Sequence, residues 1–431
     1  MAISGRVPLL LLLGIIPVAL LPAPGTILAW TGLIALLTWA DYLLSARPQG
    51  IALRRELPSS VRLSEDATSH LTLTNTGNRG ARIQVRDAWP PSANAAADRP
   101  LASLPAGESM RQSTGLRPTR RGDLEAGDVT LRSFGPLRLA ARQASFPVPA
   151  VLKVLPEFRS RVHLPYRLAR LRDLDGQAAV HVRGQGTEFD SLREYALGDD
   201  VRSIDWRASA RAQKTMIRTW RPERDRRILI VLDTSRWAAG RMGDATRLDA
   251  GIEACLLMGA LGAASGDRAS LLAVDREVRA RFLGSTLRSE VIAGFADALS
   301  RVEPVLIEAD WTLVAAQVEA LNTQRALVIL VTGLDPALYA EGLGAVLPAL
   351  AKRHQVIVAH VTDPELELMR DDDSSLGAAY DAAAASRLTL AEANLAERVS
   401  RLGVKVVQAG PDRLAPAVCD AYLALKAAGR L

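Results

Sequence analysis

Apolar and polar positions divide the chain into four stretches with different periods. From Val7 to Ala40 there are 34 residues without a charge, and Asp41 alone interrupts the run before Arg47. A single helix of that length would measure about 51 Å, against a hydrocarbon core of ~30 Å. Leu21-Pro22-Ala23-Pro24-Gly25 breaks the run, because two prolines and a glycine do not continue a helix. The pattern predicts two spans, near 7–21 and 26–45, that form a transmembrane helical hairpin within residues 1–50. Trp30, Trp39 and Tyr42 suit interfacial positions on the second span. Arg6 precedes the hairpin, Arg47, Arg54 and Arg55 follow it, and the turn is uncharged. The positive-inside rule then places both ends, and everything after residue 50, in the cytoplasm. A signal peptide cleaved near residue 24 is the competing reading, and the second apolar run would still anchor the product.

Residues 51–155 alternate with period two. Ser69 to Asn78, Ala81 to Ala88, and the segments around Val129, Leu131, Leu137 and Leu139 carry the alternation, with Gly, Pro and Asn between them. This predicts a small antiparallel β-sandwich domain. Residues 156–226 mix charged and large apolar positions with no clean period and read as a charged connector. Residues 227–431 return to continuous apolar runs at Ile228–Leu232, Ser270–Val274, Leu327–Val331, Val356–Val361 and Val404–Val407. Such runs suit strands buried on both faces of a parallel sheet. Helix-period segments lie between them, including Leu248, Ile252, Leu256 and Ala260, then Val291, Phe295 and Leu299. The expectation is a doubly wound α/β domain. Val278–Phe282 is expected to be an antiparallel edge beside Ser270–Val274, and 362–386 a surface excursion.

Composition narrows the chemistry. The two cysteines, Cys255 and Cys419, cannot build a disulfide framework or a thiolate zinc site, and the five histidines never fall at metal-ligand spacing. Net charge is +6, and only five of the 53 basic residues are Lys. In the connector, Arg193, Arg202, Arg207, Arg211, Lys214, Arg218 and Arg221 interleave with Tyr195, Trp206 and Trp220, as on a nucleic-acid surface. Eight carboxylates among them, from Glu188 to Asp225, argue instead for Arg–carboxylate pairs that pin the segment onto the next domain. No nucleic-acid partner is expected. Gly184-Gln185-Gly186 lacks the third glycine of a dinucleotide loop, since Phe189 stands there.

Ligands of doubly wound sheets sit at the carboxyl ends of strands, where strand order reverses. The first apolar run ends in Asp233-Thr234-Ser235. A strand-terminal carboxylate with a hydroxyl two residues on suits a hard cation such as Mg²⁺. Asp233 could equally be a phosphoryl-accepting nucleophile, or simply cap the loop.

One string carries a longer likeness: Glu188 and Phe189, then Arg193, Glu194 and Tyr195, then Gly198, Asp199, Asp200 and Arg202, then Asp205 and Trp206, and finally Arg211. It resembles the signature of the bacterial domain-of-unknown-function 58 family. That resemblance implies two amino-terminal spans in the inner membrane and a carboxyl-terminal domain similar to the von Willebrand factor A domain. It also implies a partnership with AAA+ ATPases of the MoxR type, acting in assembly or maturation. In A-type domains the metal is held by an Asp-x-Ser-x-Ser loop, a Thr on a second loop and an Asp on a third. Here Asp233 and Ser235 match, but Trp237 replaces the third position, Ala309 stands near the expected Thr, and Gly333 stands where an Asp is expected. Asp310, Thr332 and Asp335 could partly compensate. The implied site is degenerate, with no cofactor or only weakly bound Mg²⁺. The leading expectation is therefore a non-enzymatic, membrane-anchored interaction protein. A metal-dependent hydrolase using Asp233 with Asp310 or Asp335 is the alternative from another class, and an Arg-rich nucleic-acid binder is a third.

Overall fold

The computed structural model describes residues 1–97, 100–181, 188–196, 201–221, 226–243, 245–372 and 374–431. They fall into two compact units, Met1–Glu157 and Phe158–Leu431.

The first unit begins with the short strand Ala2–Ile3. Apolar helices follow at Arg6–Leu13, Ile15–Leu20 and Pro24–Leu44. The break after Leu21 lies where the prolines predict it: Pro24 opens the third helix at a position where its missing N–H has no consequence. Among the described residues, one helix is long and apolar enough to cross a membrane, the segment Pro24–Gly50. The expected first span is split at Gly14 into two short helices, about 22 Å in all. They pack back on the long helix, where the Trp30 indole donates to the Leu10 carbonyl at 3.0 Å.

A small β domain follows. One antiparallel sheet has five strands, in the order Ala2–Ile3, Ala140–Phe146, Val129–Phe134, Ala81–Asp87, Leu101–Leu104. A second has Ile51–Glu56, Ala67–Asn75 and Ser109–Leu116. Their inward residues, among them Ile51, Leu71, Leu73, Ile83, Val85 and Leu131, form one core. A third sheet of Ser60–Arg62, Val151–Leu155 and Gly122–Glu125 closes a second core around Leu116 and Leu152. Arg55, counted above among the basic flanks of the hairpin, is buried instead. Its guanidinium meets Asp87 at 2.5 Å, with both side chains at most 2% exposed. Asp87 also accepts from Ser69 and Trp89, and the guanidinium donates to the Val148 and Gly127 carbonyls, leaving the buried Arg55 Nε without a partner; partners of this kind are the condition under which buried pairs persist.

The helices and the β domain join at Asp41. This carboxylate is buried one turn before its helix ends. It accepts the backbone N–H groups of Leu137 (2.7 Å), Leu139 (2.7 Å) and Ala140 (3.0 Å). Gly135 lies against it so closely that a Cβ there would overlap the Asp41 carboxylate and carbonyl. The same turn receives the amino terminus: Ser4 N–H donates to the Leu139 carbonyl and Arg6 to the Leu137 carbonyl.

The second unit holds a six-stranded sheet. Its strands are β1 (Arg227–Asp233), β2 (Arg268–Val274), β3 (Val278–Ser285), β4 (Leu327–Val331), β5 (Gln355–Val361) and β6 (Lys405–Ala409). They lie in the order β3-β2-β1-β4-β5-β6. All neighbours are parallel except the β2–β3 edge hairpin. Every residue of β4 and β5 is buried, as strands covered on both faces must be. Strand order reverses at β1, so the crevice at the carboxyl ends of β1 and β4 is the ligand position of such a sheet. The segment 362–386 carries the helix Pro364–Arg370 and the start of the helix Leu376–Ser400. The connector is also more regular than its sequence predicts. It forms a helix, Leu164–His181, and an antiparallel ribbon of Glu188–Glu194 with Met216–Arg221.

The Asp41 joint generates a local prediction. In Asp41→Ala three buried N–H groups lose their acceptor. Hydrogen exchange on the full chain in detergent is expected to deprotect the amides of Leu137, Leu139 and Ala140, leaving Ile83 and Leu131 protected. Unchanged protection at the turn would contradict the joint.

Candidate functional site

Asp233 is the last residue of β1 and is 2% exposed. One carboxylate oxygen accepts the Ser235 N–H at 2.8 Å, and the other accepts the Thr332 hydroxyl from the end of β4 at 2.5 Å. Thr234 faces the other way. Its hydroxyl donates to Asp275, after β2, at 2.8 Å. Asp275 also accepts from the backbone N–H groups of Arg276 and Glu277 and from Arg279 at 2.7 Å. Asp233 and the residue that follows β1 thus tie its carboxyl end to the ends of both neighbouring strands through side chains.

The two carboxylates respond oppositely to their surroundings. Burial pushes the Asp233 carboxyl up, against its bonds from Ser235 and Thr332, and the nearby Asp275 charge adds to the rise. Burial would also raise Asp275, but Arg279, Thr234 and the Glu277 N–H outweigh it and hold the group below the ordinary carboxylate range.

The positions around Asp233 are filled. Ala309 lines the small pocket behind Asp233 with Val274, Trp311, Val314 and Thr332, and that pocket has no room for a water molecule. Asp310 is occupied as an N-cap, accepting from Thr312 and Leu313 N–H. Asp335 likewise caps the next helix through Leu338 N–H.

Trp237 and Gly333 belong to one exchange of volume. The Trp237 ring, 8% exposed, lies so close to Gly333 that a Cβ at 333 would overlap it. An aspartate at 333 is therefore excluded by the residue at 237. The indole is held by the Arg247 guanidinium 5.5 Å from its centroid and by the His360 ring at 5.8 Å. His360 is itself fixed, accepting from Leu334 N–H through Nδ1. Among the described residues, no group of three His, Cys, Asp or Glu converges as a metal would require.

The signature residues lie elsewhere. Glu188, Phe189, Arg193 and Glu194 are on the first strand of the ribbon, with Tyr195 directly after it. Glu194 pairs with Lys214 at 3.2 Å. Asp205 caps the helix Trp206–Ala212 through Ala208 N–H and bonds Arg218 at 2.8 Å, contacts that hold its carboxyl below the usual range. Both pairs lie within the ribbon and the helix beside it. Trp206 is 72% exposed, and Arg202 and Arg211 are also on the surface. Gly198, Asp199 and Asp200 lie outside the described residues. None of the described signature residues lines the Asp233 cluster. Sequence reasoning passed over Asp275, although Val274-Asp275 repeats the strand-terminal form of Leu232-Asp233.

Residues 191–403 match the family described as Protein of unknown function DUF58. The chain is also similar to Uncharacterized protein YeaD of Bacillus subtilis (strain 168), 25% identical over 125 residues. That match covers 29% of this chain and 31% of YeaD, so the chain spans about a third of that relative's length. Among solved structures, the CARDB domain of PF1109 from Pyrococcus furiosus is similar at 14% identity and a TM-score of 0.18, over 24% of this chain and 94% of that one. A FixG-related protein from Vibrio parahaemolyticus is similar at 7% identity and a TM-score of 0.18, over 24% and 96%. Likenesses at these scores carry no argument about this chain.

Two predictions follow from this geometry. Gly333→Ala is expected to destabilise by about 1–3 kcal/mol through overpacking. Adding Trp237→Ala should recover part of that loss, so thermal melts of the two single variants and the double variant should be non-additive; additive losses would contradict the contact. The carboxylates separate by pH. The stabilisation from Asp275 is present above the ordinary carboxylate pKa and is lost as pH falls through its lowered value. That from Asp233 is present at low pH and is lost as pH rises through its raised value. Asp275→Asn should therefore lower the melting temperature at pH 7, with a gap from wild type that narrows in acid. Asp233→Asn should match or exceed wild type at pH 7.

Proposed function

We propose that this chain, which belongs to the DUF58 family, works as a membrane-anchored interaction protein rather than as an enzyme. The apolar hairpin would hold it in the bacterial inner membrane with both soluble units in the cytoplasm. The α/β unit is read as von Willebrand factor A-like. The strand order β3-β2-β1-β4-β5-β6, its antiparallel edge and the Asp233-x-Ser235 loop at the switch point support that reading.

The observation that carries the functional reading is the filled crevice. Where such a domain would coordinate a cation, Asp233 is bonded to Ser235 and Thr332, and an indole stands against the position of the third-loop carboxylate. A hydrolase would need open oxygen donors and a converging acid–base set there. Recognition is left to outward surfaces. The signature ribbon, with exposed Trp206 beside Arg202 and Arg211, offers an aromatic and arginine anchor of the kind that dominates docking energetics. The partner class, taken from the family resemblance, is an AAA+ ATPase of the MoxR type or its client.

Affinity capture of the tagged full chain from native membranes, with and without ATP, tests this. An AAA+ ATPase is expected to co-purify, and Trp206→Ala is expected to weaken its recovery at least about tenfold, as loss of an anchor residue does. Recovery of no ATPase under either condition would contradict the proposal.

A further inference from the structure

The turn that receives Asp41 has an outer side with a chemistry of its own. Leu137, at its tip, is 49% exposed. Arg138 follows in the left-handed conformation, φ 58°, and is exposed. Arg6 reaches the Leu137 carbonyl at 3.3 Å, and Arg82 reaches the Pro136 carbonyl at 2.8 Å. Both partners are neutral. Among the described residues, none of these three arginines forms an ion pair. The carboxylate bonded to the turn, Asp41, is buried behind three N–H groups. Three guanidinium charges and a leucine therefore meet at one edge of the unit.

The level of that edge along the apolar helix is fixed. Asp41 holds the turn beside the last helical residues. Trp39, two residues earlier and about 3 Å along the axis, is 56% exposed, with the Tyr42 ring 6.0 Å from its own. Paired aromatics at the end of an apolar span mark the bilayer–water boundary. Arg142 stacks on the Tyr42 ring at 4.6 Å at the same level. An exposed leucine among arginines there has the composition of a segment that enters the headgroup layer. Guanidinium forks match phosphate oxygens in pairs.

We infer that the turn 135–139 is a contact site for anionic phospholipid. Leu137 enters the headgroup region, and Arg6, Arg82 and Arg138 receive lipid phosphates. The inference rests on the membrane-anchored reading of the hairpin. It adds that the β domain is held down on the bilayer surface and senses the charge of its lipids.

The experiment uses the full chain in lipid nanodiscs, with a fluorophore on a single introduced cysteine. The native thiols of Cys255 and Cys419 are buried and pushed well up, so a surface cysteine labels selectively. Leu137→Cys reports the turn. Asp128→Cys, about 20 Å away at the far end of strand Val129–Phe134, is the control. Leu36→Cys, on the exposed side of the apolar helix, reports insertion itself. Nitroxide-labelled lipids are expected to quench the Leu137→Cys probe at least about twofold more than the Asp128→Cys probe when about a third of the lipid is phosphatidylglycerol. In wholly zwitterionic discs that excess should fall, and Arg82→Gln with Arg138→Gln should remove its dependence on anionic lipid while the melting temperature is retained. Equal quenching at 137 and 128, or quenching at 137 indifferent to lipid charge, overturns the inference while quenching at 36 leaves the anchor standing. No quenching at 36 overturns the anchor and this inference together.

Discussion

A carboxylate near the end of an apolar helix has to find donors, and in this protein the β domain supplies them. Asp41 takes three backbone N–H groups from a single turn. Without it those groups would be buried and unbonded, and without them the charge would sit against hydrocarbon. Each side resolves the other's deficit, so the helix and the sheet hold one another in place. The close approach admits only glycine at 135. The amino-terminal strand pairs beside the same turn, Ala2 with Ala141 and Ile3 with Ala140, so the two ends of the apolar helices meet at one place on the sheet. The proposed lipid contact rests on that joint.

The α/β unit pairs groups in a comparable way but to the opposite effect. At the switch point of the sheet, hydroxyl–carboxylate bonds run from β1 to both neighbours, Thr332 to Asp233 and Thr234 to Asp275. Carboxylate oxygens of Asp233 and Asp275 hold the strand ends together, whereas the buried Ser235 hydroxyl has no hydrogen-bond partner. Trp237 completes the change by occupying the volume beside Gly333. A site that merely lacked donors would leave a water-filled hollow, whereas this one is packed.

Much of this architecture is legible from side-chain periodicity. The buried strands of the sheet, its antiparallel edge at Val278 and the alternating strands around Leu71 and Ile83 follow from apolar spacing, because one period matches burial on two faces and the other burial on one. The ribbon Glu188–Glu194 with Met216–Arg221 was not legible. Its pairs, Asp205 with Arg218 and Glu194 with Lys214, link positions 13 and 20 residues apart. Spacing in sequence does not reveal such contacts. Asp41 reads in the sequence as an interruption of an apolar run, since its three donors lie 96 to 99 residues away. At the candidate site the missing donors at 237, 309 and 333 could be read directly. That Trp237 fills the space of an aspartate at 333 could not, because it is a fact of volume rather than of residue type.

The central claim is that both ends of the apolar hairpin lie on one side of the membrane with the soluble units. Paired topology reporters in living cells test it most directly, with green fluorescent protein or alkaline phosphatase fused at Met1, after Pro22 and at Leu431. The account predicts fluorescence and no phosphatase activity at Met1 and Leu431, and phosphatase activity at the fusion after Pro22. Phosphatase activity at either Met1 or Leu431 would contradict it.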